Sequence, residues 1–419
     1  MAIGLEGYVR AGRLEDVKAR GCVAVQVNGH TLALFAQDGR IYAVDNRCPH
    51  MGFPLHRGTV HDGILTCHWH HARFDLATGG TFDPWADDVR VFPVEVRDGE
   101  VWVDLSTHVA PHAHHLERLR EGLERNISLV IAKAAIVLAG EGGGTHGPDP
   151  TVPFRAGLEF GARYRREGWG QGLTIHACMM NLVPALDPAD RPLALHHGLS
   201  AVAGNTDGVP PRFPLKPLPG STADPATLKR WFRQFVEVRD AEGAERCIVS
   251  AVDASCDNRV MADMLLAAAT DHRYIDTGHP LDFTNKAFEA LDVAGWGYAP
   301  LVLTSLVPAY AEAERSEESN SWRHPVDLVE ILDRAFEELP KALQAGRGRR
   351  NGPERGAPTR AGQSASWAGR ADLIPVLLGE HAQAIADALL DALRSGAAEE
   401  DVAGAVVYAA ALRIAQFPT

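Results

Sequence analysis

The sequence predicts two domains of opposite class, a small antiparallel all-β domain over residues 1–105 and a larger all-α domain over residues 116–419. Three observations carry this. The first hundred residues alternate apolar and polar side chains with period two, and Asn28-Gly29, Asp38-Gly39 and Asp98-Gly99 punctuate them as tight turns. Near residue 110 the period changes: Leu116, Leu119, Leu123 and Ile127 recur at three and four residues, the spacing of one helix face. Beyond that point nearly every segment keeps a helical pattern, interrupted by Pro and Gly.

In the β part, Val23 to Val27 and Leu32 to Phe35 form a hairpin around Asn28-Gly29. Ile41 to Val44 follows the next turn, and Val94-Glu95-Val96 and Val101-Trp102-Val103 flank the last. Residues 106–115 hold His108, His112, His114 and His115 around Pro111. A His tract can take a metal; here it reads as a polar linker, because ligands require a rigid frame. An apolar helix then runs to Leu138 and stops at Gly140. The Gly-rich turn Glu141 to Gly144 lacks the Lys and Ser/Thr of a phosphate-binding loop and reads as a hinge or helix stop.

Val209-Pro210-Pro211 through Pro219-Gly220 is a proline-stiffened connection. Residues 341–370 set Lys341, Arg347, Arg349, Arg350, Arg355, Arg360 and Arg370 against one acid, Glu354, and their Gly, Pro and Ser content predicts a disordered loop. An internal echo links Gly168-Trp169-Gly170 and Asn181 to Ala185 with Gly295-Trp296-Gly297 and Ser305 to Ala309. A shorter third copy holds Trp367, Pro375 and His381, so the helical domain reads as a weakly repeated unit. Residues 397–417 form a last helix.

A net charge of -13 argues against nucleic acid or an anionic membrane surface as partner. The longest apolar run, Leu129 to Gly140, is too short to span a membrane and includes Lys133. The N-terminus lacks the basic-then-apolar pattern of a secretory signal. Cys22, Cys178, Cys247 and Cys256 are scattered, as free thiols in a reducing compartment would be, so a cytoplasmic location is expected.

The chemistry concentrates between residues 48 and 70. Cys48-Pro49-His50 is followed by sixteen residues and then Cys67-His68-Trp69-His70. Cys and His mixed in both loops suit a two-iron cluster held by two thiolates and two imidazoles. A structural zinc site also uses closely spaced pairs, but it favours Cys-Cys followed by His-His.

Over residues 1 to about 105 the sequence resembles the Rieske [2Fe-2S] family, of the ferredoxin-like branch. The resemblance implies a [2Fe-2S] cluster with Cys48 and Cys67 on one iron and His50 and His70 on the other. The respiratory branch joins its two loops by a disulfide; the corresponding places here are Phe53 and Trp69. That branch also aims a Ser and a Tyr hydroxyl at the cluster sulfurs, where this chain has Ala72 and Phe74. Fewer hydrogen bonds to sulfur imply a low potential. His68 and His71 flank His70 and read as surface or supporting residues.

The resemblance also implies an acceptor for the electron. The catalytic domain of ring-hydroxylating oxygenases carries an Asp/Asn-x-x-His-x(3-4)-His motif, and this chain offers only Asp276-x-x-His279. The expectation is therefore an iron-sulfur oxidoreductase passing electrons to a second, non-haem iron site among the helices, an oxygenase acting on a small organic substrate. His176, His196, His197, His272, Asp276, His279 and His324 are its candidate ligands, with Glu317, Glu318 and Arg323 as neighbours. Each histidine could equally be a helix-end or core hydrogen-bonder. An external flavin- or nicotinamide-dependent reductase is expected, since the chain has no Gly-x-Gly-x-x-Gly motif. The alternative is an electron-transfer or redox-sensing protein whose helical domain only binds a partner. A likeness to the small subunit of nitrite reductases leaves the helical three hundred residues without a role.

Overall fold

Paired residues with positive φ close the hairpins of the first hundred residues: Asn28-Gly29, Asp38-Gly39 and Asp98-Gly99. Both central residues left-handed is the turn that matches the twist of the flanking strands. A fourth such pair, Asp62-Gly63, escaped the sequence reading. The computed structural model describes residues 7–106, 111–140, 149–220, 223–350, 367 and 369–416. Its strands are β1 (Tyr8–Arg13), β2 (Cys22–Val27), β3 (His30–Gln37), β4 (Arg40–Asp45), β5 (Thr59–His61), β6 (Ile64–Thr66), β7 (Arg73–Asp75), β8 (Val91–Phe92), β9 (Val94–Arg97) and β10 (Glu100–Asp104), and the four turns join β2 to β3, β3 to β4, β5 to β6 and β9 to β10. One short helix, α1 (Leu14–Arg20), intervenes after β1.

The strands make three antiparallel sheets ordered β1-β10-β9, β2-β3-β4-β8 and β5-β6-β7. In β3 the run Leu32 to Phe35 is buried on both faces, because its residues serve two cores. Leu32 and Leu34 pack with Val101, Val103 and Phe92. Ala33 and Phe35 pack with Leu65, Phe74 and the two motif cysteines.

Helices follow: α2 (Pro111–Glu124), α3 (Ser128–Gly140), α4 (Thr151–Arg163), α5 (Gln171–Leu182), α6 (Arg191–Thr206), α7 (Pro225–Glu237), α8 (Ala241–Asp253), α9 (Asn258–Thr270), α10 (His279–Ala294), α11 (Ala299–Thr304), α12 (Val307–Ala311), α13 (Leu328–Arg350), α14 (Arg370–Leu377), α15 (Ala382–Arg394) and α16 (Glu399–Gln416). The chain divides into two compact units, residues 1–265 with 280–312, and residues 266–279 with 313–419. The change from strand to helix thus falls inside the first unit. The second has its own core of Ala342, Leu373, Leu390, Leu393, Val402 and Ala405. No helix among the described residues is long and apolar enough to cross a membrane.

Two expectations need correction. The 106–115 linker ends early: α2 begins at Pro111, where the fixed φ of proline suits a first helical position, so His114 and His115 belong to that helix. Residues 341–350 continue α13 rather than opening a loop; most of 351–370, like the turn 141–144, lies outside the described residues. The proline-rich connection does lack regular structure, yet Arg212 within it is buried. Its guanidinium pairs with Glu245 at 2.8 Å and reaches the Thr304 hydroxyl at 3.0 Å.

The two echoed segments touch. The Trp169 N–H donates to the Ser305 carbonyl at 2.6 Å, and a Cβ on Gly168 would stand 2.1 Å from the same oxygen. Trp169 is buried, whereas its counterpart Trp296 is only half-buried and bonds Asp292 at 3.1 Å.

Candidate metal centre

Two loops of the same construction present the Cys and His pairs. The first follows β4, and the second joins β6 to β7. In the first, the Cys48 N–H donates to the Phe53 carbonyl at 2.8 Å and the Gly52 N–H to the Cys48 carbonyl at 2.7 Å. In the second, the Cys67 N–H donates to the Ala72 carbonyl at 2.9 Å and the His71 N–H to the Cys67 carbonyl at 3.0 Å. Each loop turns through a left-handed residue four places after its cysteine, Gly52 at φ 82° and His71 at φ 63°. Glycine adopts that conformation freely; histidine does so with a modest cost. His71 therefore shapes the loop, a backbone role that its position beside His70 did not suggest. The exposed His68 ring meets the Thr59 hydroxyl at 3.3 Å.

Cys48 and Cys67 are buried in the core with Leu65, Ala72 and Phe74. Burial, with the Cys67 thiol beside it, pushes the Cys48 thiol up to about 11. A buried thiol of this kind becomes a thiolate when a metal supplies the compensating charge. The His50 and His70 rings stand 4.7 Å apart, edge to face. Burial, then the His70 ring and the Lys133 charge, hold His50 below the usual imidazole range, which favours its neutral, ligating form. Its Nδ1 is buried with no hydrogen-bond partner, an arrangement costing roughly 1–3 kcal/mol unless the atom is a ligand. Two buried sulfurs, two neighbouring imidazoles and an orphaned ring nitrogen fit a [2Fe-2S] cluster of mixed ligation.

The surroundings decide the character of the site. Ala72 and Phe74 are buried beside the cysteines and offer no hydroxyl. In place of a disulfide, Phe53 and Trp69 tie the loops, their rings 6.0 Å apart. Trp69 also lies 4.5 Å from His70 and Trp85 lies 4.7 Å from His50. Trp85 is distant in sequence from both loops, so nothing in the motif pointed to it. His70 is exposed, with Trp69 and Met51 exposed around it, whereas His50 is half-buried.

Helices α2 and α3 reach this domain through polar side chains. Lys133 donates its ammonium to the carbonyls of Pro49 and His50, the latter at 2.6 Å. Arg118 donates to the carbonyls of Pro84 at 3.1 Å and Ala86 at 2.5 Å, either side of Trp85, and pairs with Asp87 at 3.1 Å. His114 meets Asp87 at 3.2 Å. Three of the second-site candidates, His176, His196 and His272, have other partners. His176 is buried and its Nε2 lies 2.9 Å from the Phe154 carbonyl. His196 lies 3.0 Å from the Ser128 hydroxyl and 3.2 Å from that of Ser200. His272 meets Glu317 at 2.7 Å, while His197 and His324 are exposed. Asp276 sits in a left-handed turn and His279 opens α10. Among the described residues, none of the seven belongs to a group of three ligand side chains close enough to share an ion.

A cavity of about 510 Å³ between α2 and α4 is lined by Arg120, Arg155 and Arg163, with Glu117 and Glu159.

Residues 7–93 match the model of the Rieske [2Fe-2S] domain. The ferredoxin component of the naphthalene 1,2-dioxygenase/salicylate 5-hydroxylase systems of Ralstonia sp. is 31% identical over 24% of this chain and 97% of its own length. The ferredoxin component of the naphthalene 1,2-dioxygenase system of Pseudomonas putida is 32% identical over 24% of this chain and 96% of its own. Among solved structures, the Sphingomonas yanoikuyae B1 ferredoxin is 32% identical over 23% of this chain and 96% of its own, with a TM-score of 0.22. Through its first quarter the chain belongs to the Rieske [2Fe-2S] family, and that domain is an electron-transfer module carrying a [2Fe-2S] cluster.

Proposed function

We propose that Cys48 and Cys67 hold one iron, His50 and His70 the other, and that the chain carries single electrons from a flavin- or nicotinamide-dependent reductase to a separate oxygenase. The observation that carries this reading is the asymmetry of the two imidazoles. His50 lies under Trp85 and the Lys133 contact, while His70 is exposed at an apolar rim formed by Trp69 and Met51. An exposed ligand edge on a buried cluster is where an electron can leave without the ligands moving. The missing hydroxyls at Ala72 and Phe74 support a low potential, suited to feeding an oxygenase. The relatives' names, ferredoxin components of dioxygenase systems, support the same role.

In this reading the helical residues bind a partner rather than housing a second iron, which is supported by none of the seven candidates belonging, among the described residues, to a group of three ligand side chains within 4.8 Å of one another. The test is anaerobic reduction by NADH through a flavin-dependent ferredoxin reductase, followed by addition of a dioxygenase terminal component. The expected result is uptake of one electron per cluster, its transfer to the added oxygenase, and loss of both in Cys67→Ser. Oxygen-dependent hydroxylation of an aromatic compound by this chain and reductase alone, abolished in His272→Ala, would overturn it.

A further inference from the structure

The His tract before the helical domain becomes something other than a linker once α2 is in place. His114 and His115 lie in the first turns of that helix, their rings 5.2 Å apart, and face Asp87 of the β domain. Among the described residues, Asp87, His114 and His115 are the one group whose three ligand atoms all lie within 4.8 Å of one another. Within it, His114 Nε2 and Asp87 Oδ1 are 3.2 Å apart. Two atoms bound to one tetrahedral ion at ~2.0–2.2 Å stand about 3.3–3.6 Å apart, so this pair is within a few tenths of an ångström of the spacing of a shared ion. Asp88 Oδ2 lies 3.9 Å from His114 Nδ1, the ring nitrogen that does not face Asp87, so it stands beside the imidazole without completing the ligand set. All three side chains are half-buried, which gives the rigid frame a tract in a linker would lack.

We propose that Asp87, His114 and His115 bind a divalent first-row transition-metal ion at the junction of the β domain and α2. Two imidazoles and one carboxylate are a donor set for zinc, iron or cobalt, and not for calcium or magnesium, which take oxygen ligands. Arg118, 3.1 Å from Asp87 Oδ1, is the competing cation. It keeps other partners when the ion binds, donating to the Pro84 and Ala86 carbonyls and pairing with Glu121. The ion would fasten α2 to the loop that carries Trp85, the ring lying against His50.

The experiment uses the full chain with its cluster intact, dialysed against chelator and then equilibrated with zinc at about 10 µM free. The expected result is one zinc retained per chain beyond the cluster iron, with affinity falling 10–100-fold in His114→Gln and in His115→Gln. The reduced-cluster electron paramagnetic signal, unchanged in each variant, certifies folding. In the unmodified protein, zinc also protects His114 and His115 from diethylpyrocarbonate, a readout independent of any variant. Zinc held equally by both variants, or lost only in His108→Gln/His112→Gln, would overturn the site, as would no retained zinc and no protection.

Discussion

Lys133, on the second helix after the β domain, donates its ammonium to the carbonyl of His50 at 2.6 Å. The same group bonds the carbonyl of Pro49, so one helical side chain grips the backbone of a cluster loop at two successive residues. Burial lowers the Lys133 pKa, with Asp87 opposing that shift. The contact sets a positive charge next to a centre that becomes more negative on reduction.

Lys133→Met therefore lowers the reduction potential. Removing one charge from ~10 Å at an effective dielectric of about 20 is worth about 1.7 kcal/mol, on the order of 70 mV for one electron, before solvent screening. Lys133→Arg keeps the charge and most of the potential. A spectroscopic redox titration of the three proteins reads this directly.

At the second loop, His71 holds a left-handed corner that Gly52 holds in the first. His71→Gly leaves the loop closed and the cluster spectrum intact. His71→Val forces a β-branched residue to φ 63°, at a cost of ~1–2 kcal/mol, and hastens cluster loss on warming. The half-life of the visible absorption at elevated temperature checks both.

His176 is locked between two glycines. A Cβ on Gly157 would come 2.7 Å from its Nε2, and one on Gly198 would come 2.7 Å from its Nδ1. Burial lowers its pKa from 6.5 to about 4, opposed by the Phe154 carbonyl. The unfolded chain thus binds this proton more readily than the folded one, so the stabilisation is complete above about pH 6.5 and is lost as pH falls towards 4. The loss reaches ~3 kcal/mol. Denaturant unfolding followed by helical circular dichroism shows this slope in the parent protein and a flatter one in His176→Gln. Gly198→Ala destabilises at every pH.

Much of the β domain was legible because its signals are local. Asn28-Gly29 and Asp98-Gly99 declare their turns within two residues, and the Cys48 and Cys67 motifs occupy single loops. The sequence misplaced what depends on contacts far apart in the chain. Trp85 is set against His50 by the fold of its own loop, with Arg118, 33 residues further on, holding the carbonyls on either side. The histidines of the helical region looked like ligands because helical periodicity says which face a residue occupies and not what it meets. His176 meets a carbonyl and an aromatic ring, and His196 meets two serine hydroxyls.

By itself the sequence determined the class of each region and the four side chains suited to a mixed-ligand cluster, since strand period, helix period and motif spacing are properties of a few consecutive residues. Only the tertiary structure decided which imidazole is exposed, which charge lies against the cluster loop, and that His114 and His115 face Asp87. Those are pairings between segments tens of residues apart, and they exist only once both segments have been packed into place.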